Sequence, residues 1–417
     1  LHGLGSDTID VYDPAAATWT SMSEPAEGVG FAAAADENDH LWSLRADPFG
    51  DFDGTIYATA YVSSTLIYAG GDFHSAGGLP VDYLAKWDGE RWSAIGSPAN
   101  RPNGVVYALV VHNGDLYAGG DFGVRYMHGA TWYDWGSTNG TGNVYAIAVD
   151  DTYGTYIGGS LTQIDGLSVK KIARRGLDGS WYRLGGGAGY DGIPGTSDDL
   201  ITSASCNGVG YDASHEVRTM IIKSDGYLYA GGKFSTVAAG ESGSTCGLYG
   251  FSNIVAIKLS SPSGSWFASA GDTTDLNPYD DELYSLALAG DDLLVAGDID
   301  CVDWNFDTHA CDRAAEEMAI LKRGQPWSLP TYLQANDTVR DVAVDGSMLI
   351  VGGSFSLVGG SIPGSRIAAY DNFPNDEGLW SDIGGGANET GHAVAYDAGS
   401  IVAAGAGVAV AKHGNRS

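Results

Sequence analysis

One phrase returns along the chain and constrains its fold more than any other feature. It is clearest as Val105-Val-Tyr-Ala-Leu-Val-Val, a turn at Asn113-Gly114, then Leu116-Tyr-Ala-Gly-Gly-Asp-Phe. It recurs as Ile56-Tyr-Ala-Thr-Ala with Leu66-Ile-Tyr-Ala-Gly-Gly-Asp-Phe, and as Val144-Tyr-Ala-Ile-Ala with Tyr156-Ile-Gly-Gly. Later copies pair Val217-Arg-Thr-Met-Ile with Leu228-Tyr-Ala-Gly-Gly-Lys-Phe, and Leu283-Tyr-Ser-Leu-Ala with Leu293-Leu-Val-Ala-Gly-Asp. Two more pair Val339-Arg-Asp-Val-Ala with Leu349-Ile-Val-Gly-Gly-Ser-Phe, and Ala393-Val-Ala-Tyr with Ile401-Val-Ala-Ala-Gly. A degenerate first copy reads Phe31-Ala-Ala-Ala-Ala with Leu41-Trp-Ser-Leu. The second Gly recurs at spacings of 49, 39, 73, 65 and 56 residues, so the apolar unit is constant and the variable part is loop.

Most pairs are followed by a third apolar stretch and a Trp-led fourth: Leu84-Ala-Lys-Trp before Trp92, Ile172-Ala-Arg-Arg before Trp181, Val255-Ala-Ile-Lys before Trp266, Met318-Ala-Ile-Leu before Trp327, and Ile367-Ala-Ala-Tyr before Trp380. Four short strands per repeat, joined by Asn-Gly and Asp-Gly turns, predict a blade of antiparallel sheet. The first strand is apolar enough to pack on both faces. The Gly-Gly admits close approach of a neighbouring blade, and the Trp covers the gap between blades. The expectation is one all-β domain over residues 1–417, a β-propeller of eight four-stranded blades, or seven if the weak first copy only fills out a shared blade. The blades would span about 31–55, 56–97, 105–136, 143–186, 216–271, 282–330, 338–385 and 392–413. Residues 9–22 would complete the last of them and close the ring.

The phrase Leu-Tyr-Ala-Gly-Gly-Asp-Phe, with Ala-Lys-Trp-Asp-Gly and Trp-Ser after it, resembles kelch-type propeller repeats. It is similar to secreted bacterial and archaeal versions and to fungal cortical-polarity marker propellers. The resemblance implies the fold and is nearly silent on activity, because such propellers host unrelated functions.

Charge narrows the partners. Lys and Arg number 21 against 52 Asp and Glu, a formal charge of −31. A nucleic-acid partner is excluded, since phosphate binding needs a basic surface. No membrane span is expected: the apolar run Ile401 to Ala411 stops at Lys412, short of the ~20 residues a helix needs. The acidic charge, the scarcity of Lys and the polar loops favour an exported protein, extracellular or at the cell surface. The cysteines fall as local pairs, Cys206 with Cys246 and Cys301 with Cys311, and disulfides are expected. Asn139, Asn336 and Asn388 stand in glycosylation acceptor sequences.

Two acidic loops are candidate calcium sites. Asp298, Asp300, Asp303, Asn305 and Asp307 place hard oxygen ligands at near-alternate positions, though Thr308 stands where a calcium loop turns on Gly. Asp191, Asp198 and Asp199 flank Gly192 and Gly195 in the second. The alternative in each case is a solvated acidic loop. Catalysis is not expected: the nine histidines are scattered, and pairs such as Asp280-Asp281 and Asp291-Asp292 are turn residues. Trp132, Trp135 and Tyr126 are candidate sugar-stacking rings, against the reading that they pack between blades. The expected function is a structural or interaction module that binds copies of itself or other surface proteins and assembles into filaments or a coat. The alternatives are a carbohydrate binder and a polysaccharide-active enzyme.

Overall fold

The computed structural model describes residues 52–96, 101–184, 216–260 and 281–382 with short breaks, together with strand segments 8–13, 18–23, 31–35, 41–45, 393–397, 400–404, 408–414 and a few short pieces between. Among the described residues the structure is almost entirely β-strand; its one helix is the single 3-10 turn Thr331–Leu333.

Six blades follow the four-strand plan. The first is Thr55–Ser63, Leu66–Asp72, Leu84–Trp87 and Trp92–Ala94. The second is Val106–His112, Asp115–Gly120, Gly123–His128 and Thr131–Gly136. The third is Val144–Asp150, Gly154–Gly159, Ile172–Arg175 and Trp181–Arg183. The fourth is Glu216–Lys223, Tyr227–Lys233, Ile254–Lys258 and Phe267–Ala268. The fifth is Glu282–Ala289, Asp292–Asp298 and Met318–Leu321, edged by the bridge between Ile320 and Ser328. The sixth is Val339–Asp345, Met348–Gly353, Ile367–Tyr370 and Trp380–Asp382.

The expected count of eight or seven four-stranded blades is therefore corrected to six. The degenerate first copy is not a blade. Its strands Phe31–Ala35 and Leu41–Arg45 form the outer edge of a five-stranded sheet with Val408–Gly414, Ser400–Ala404 and Ala393–Asp397. Leu41 to Leu44 pair with Gly414 back to Ala411. The physical reason lies in the two copies themselves. The first has no Gly-Gly and no third strand of its own, while the carboxyl-terminal copy has no Trp-led fourth, so each covers an edge the other lacks. Residues 9–22 were expected to complete the last blade; they form instead the hairpin Thr8–Asp13 with Thr18–Ser23. The five-stranded sheet closes the ring, since Ala393–Asp397 lies against the inner strands of both the sixth and the first blade.

The core lies between blades. Tyr68, Leu84 and Ile95 of the first blade pack with Val106, Leu116, Met127 and Trp132 of the second, and the pattern repeats around the ring. The Gly-Gly phrase makes this possible. A Cβ on Gly119 would stand 2.7 Å from Cγ1 of Val144 in the next blade. A Cβ on Gly120 would collide with the carbonyl oxygen of Val105 in its own blade. The Trp reading also holds: Trp132 is 2 % exposed and its Nε1 donates to the Ile95 carbonyl of the preceding blade at 3.3 Å.

A second repeated device has no counterpart in the sequence pattern. The residue before the third strand adopts a left-handed conformation at Tyr83, Lys171, Asn253, Glu317 and Arg366. Its carbonyl accepts the N–H of the second Gly in each of those blades, at 2.9 to 3.0 Å. These residue types carry no signature of positive φ apart from Asn.

A candidate interaction site at the mouth of the ring

The inner strand of each of the six blades carries a β-bulge at an equivalent place. The ladder skips a residue between Ile56 and Ala58, Val106 and Ala108, Val144 and Ala146, Val217 and Thr219, Leu283 and Ser285, and Val339 and Asp341. The skipped residues are Tyr57, Tyr107, Tyr145, Arg218, Tyr284 and Arg340. A bulge bends the strand and re-aims the side chain of its extra residue. The second Gly of the phrase sits against the carbonyl just before this bulge, so the two features form one unit.

These six side chains meet in order around the axis. The Tyr57 and Tyr107 rings are 5.2 Å apart, and Tyr107 and Tyr145 are 5.1 Å apart in an edge-to-face pair. The Arg218 guanidinium lies 5.0 Å from the Tyr145 ring and 5.7 Å from that of Tyr284. Arg340 lies 4.3 Å over the other side of the run, on Tyr284. All six are half-buried, set between fully buried neighbours such as Ile56, Val106 and Val144. They form a continuous belt at the end of the axis where the inner strands begin.

The belt has two halves. Blades one to three contribute Tyr, followed one position on by Ala58, Ala108 and Ala146. Blades four to six contribute Arg218, Tyr284 and Arg340, followed by Thr219, Ser285 and Asp341. In the second half Arg218 is matched internally. Arg218 donates through Nε to Glu282 and pairs through Nη2 with Glu216, each at 2.9 Å, and Lys233 stands 3.9 Å from Glu282. The buried Nε of Arg340 has no hydrogen-bond partner. In the first half Asp72 ends one second strand and Asp121 follows another, both are exposed, and neither has an ion-pair partner among the described residues. Burial, then the neighbouring Tyr145 and Tyr57, and then Asp121 and Asp72, push the Tyr107 hydroxyl up to about 12. It stays a neutral donor at any physiological pH.

Asp341 ties the polar half together. It accepts from Ser285 Oγ of the fifth blade at 2.6 Å, from its own neighbour Val342 N–H at 3.0 Å, and from Val394 N–H of the closing sheet at 2.8 Å. Burial pushes its carboxyl up to about 6, against the lowering effect of these bonds.

The residues singled out from sequence are placed differently. Cys301 and Cys311 form a disulfide that staples the hairpin Cys301–Asn305 with Ala310–Ala314. Cys206 and Cys246 lie outside the described residues, as do Asp191, Asp198, Asp199, Asp307 and Asn388. Asp298 and Asp300 flank the buried Ile299, and Asp303 and Asn305 fall on the stapled hairpin. Burial pushes the Asp298 carboxyl up, with help from Asp300 and Glu282. The adjacent Glu317 accepts from Ile299 N–H at 3.2 Å and is pushed up to about 8, chiefly by burial. Among the described residues no three such side chains converge as a metal would require. Asn139 is exposed on a turn at positive φ. Asn336 is exposed and ties two loops: its Oδ1 accepts from Ser356 and Leu357 N–H at 2.9 and 2.8 Å, and its Nδ2 meets Ser356 Oγ at 3.0 Å.

The sugar-stacking candidates are occupied by packing. Trp132 is buried, and Arg175 covers Trp135 at 4.1 Å while Tyr126 lies 4.7 Å away. Three histidines stand apart, each facing one carboxylate: His74 with Asp82, His112 with Asp151, His128 with Asp115. No helix among the described residues is long and apolar enough to cross a membrane. Sequence reasoning misses the belt itself. Its signal lies in the second or third residue of each first strand, a position where Tyr is ordinarily taken for packing.

No protein-family model matches the chain, and no curated protein matches it in sequence. Solved structures do match. YCF48 bound to D1 peptide superposes with a TM-score of 0.52 at 10% identity, over 93% of this chain and 100% of that one. The WD40 β-propeller domain of Doa1 gives 0.48 at 10% identity, over 93% and 98% of the two chains. The computationally designed Ika8 protein gives 0.47 at 13%, over 87% and 98%. At such identities the likeness is one of fold, and the fold is a β-propeller.

Proposed function

We propose that this β-propeller is a non-catalytic interaction module that binds a polypeptide partner at the mouth of its ring. The observation that carries the reading is the belt of Tyr57, Tyr107, Tyr145, Arg218, Tyr284 and Arg340, half-exposed and held in place by six equivalent bulges. Tyr and Arg are the residue types that dominate binding surfaces, because each brings a large rigid contact area with a polar tip. Positioning them on strands rather than loops means little ordering is needed on binding. That YCF48 appears in complex with a peptide is consistent with such a use of the fold.

The kelch-type character of the repeat and an extracytoplasmic setting belong to the same proposal. The first rests on the Gly-Gly phrase, the second on the Cys301–Cys311 disulfide and the −31 charge. A display library of random peptides selected on the full chain, then counter-screened on Tyr107→Ala and Tyr284→Ala, tests the binding surface. Binders that weaken at least tenfold on either variant are expected. Binders indifferent to both would place the interaction elsewhere and end this reading.

A further inference from the structure

The two halves of the belt differ in one respect that specifies a ligand. In the half built by blades four to six the one belt tyrosine, Tyr284, faces two guanidiniums supplied by the chain: Arg340 lies over it, and Arg218 lies between it and Tyr145 of the third blade. There the carboxylates Glu216 and Glu282 neutralise Arg218. The chain thus shows what the belt does with a planar cation: aromatic rings take its face and rim carboxylates take its edge.

The half built by blades one to three repeats the aromatic part of this arrangement at the same bulge positions, with Tyr57, Tyr107 and Tyr145. Its carboxylates come from a different position, Asp72 at the end of one second strand and Asp121 just after the other, and both act on the Tyr107 hydroxyl. Tyr107 has tyrosine rings on both sides and no guanidinium, and Asp72 and Asp121 have no ion pair among the described residues. Two carboxylates with no ion pair among the described residues, near the Tyr107 ring, on a chain of charge −31, are complementary to a cation from outside.

We infer that the Tyr57–Tyr107–Tyr145 sector receives an arginine or lysine side chain of a basic polypeptide segment, with Asp72 and Asp121 as its counter-charges. This rests on the mouth being the interaction surface and goes further by naming the chemistry of the partner.

The test uses a fluorescently labelled, amidated hexa-arginine peptide titrated against the full chain by anisotropy, at physiological and at raised salt. The acidic chain attracts any polycation, so variants of matched charge decide the matter. Tyr57→Ala/Tyr107→Ala is expected to weaken binding at least tenfold, while Tyr107→Phe, which keeps the ring, stays within about threefold. Asp72→Asn/Asp121→Asn is expected to weaken it at least fivefold. Removing two exposed carboxylates away from the mouth, Asp291→Asn/Glu377→Gln, leaves it unchanged.

Melting curves of each variant confirm that the ring is intact. Absence of binding, equal losses from both carboxylate pairs, or wild-type affinity in the tyrosine double variant would overturn the inference. So would hexaglutamate binding that is lost in Arg340→Met. That last outcome would leave the mouth as the interaction surface, with the opposite preference. Failure of this inference is thereby distinct from failure of the proposed function.

Discussion

At the residue scale, the Gly-Gly phrase does two separate jobs. The first Gly admits the next blade, and the second admits the carbonyl before the bulge. Gly119→Ala asks the flexible Val144 side chain to yield, and is expected to cost about 1–3 kcal/mol in chemical denaturation. Gly120→Ala asks the Val105 backbone to move, and is expected to cost more, because the bulge that aims Tyr107 must give way. Equal costs would contradict the pairing of glycine with bulge. In the sequence, Gly-Gly signals close approach without saying what approaches. The bulge is invisible there because it is a property of register between two strands, and no residue type announces it. The same holds for Lys171 and Glu317 in left-handed backbone, where position in the ladder overrides residue preference.

At the scale of the element, the outer strand of the second blade is held by its Trp and exposes the residue after it. Trp132 is 2 % exposed and bonded to the preceding blade, whereas the adjacent Tyr133 is 48 % exposed. Trp132→Ala is expected to lower stability by about 3–5 kcal/mol, and Tyr133→Ala to leave it almost unchanged; thermal or denaturant unfolding would show both. The strands themselves are legible in the sequence, since alternating and wholly apolar runs, tight turns and Trp starts mark them clearly. The stapled hairpin is legible as well, from the spacing of Cys301 and Cys311. Asn336 is not: its sequence context suggests a glycan acceptor, and its hydrogen bonds make it a tie between two loops of the sixth blade.

At the scale of the whole molecule, closure is the property the repeat does not encode. Counting phrases assigns Phe31–Ala35 and Leu41–Arg45 a blade of their own, but pairing depends on which edges lie open once the ring has formed. Asp341 helps to hold that joint, bonding the fifth blade, its own strand and the closing sheet at once. Its folded-state value near 6 lies above its ordinary 3.8, so its contribution to stability is full below about pH 4 and is lost as pH rises through 6. Asp341→Ala, which installs the residue that blades one to three carry, is therefore expected to be most destabilising at pH 4. The deficit should shrink by about 2–3 kcal/mol by pH 8. A deficit that grows with pH would mean that the ionised carboxylate is the stabilising form.

The central claim is that this propeller meets its partner at the ring mouth and not along the blade flanks. A photo-crosslinking residue placed at Asn103, exposed just before the inner strand that carries Tyr107, reports on the mouth; the same residue placed at Tyr133 reports on the flank. With a peptide selected on the full chain, a crosslink from position 103 and none from position 133 is expected. A crosslink from position 133 alone would contradict it.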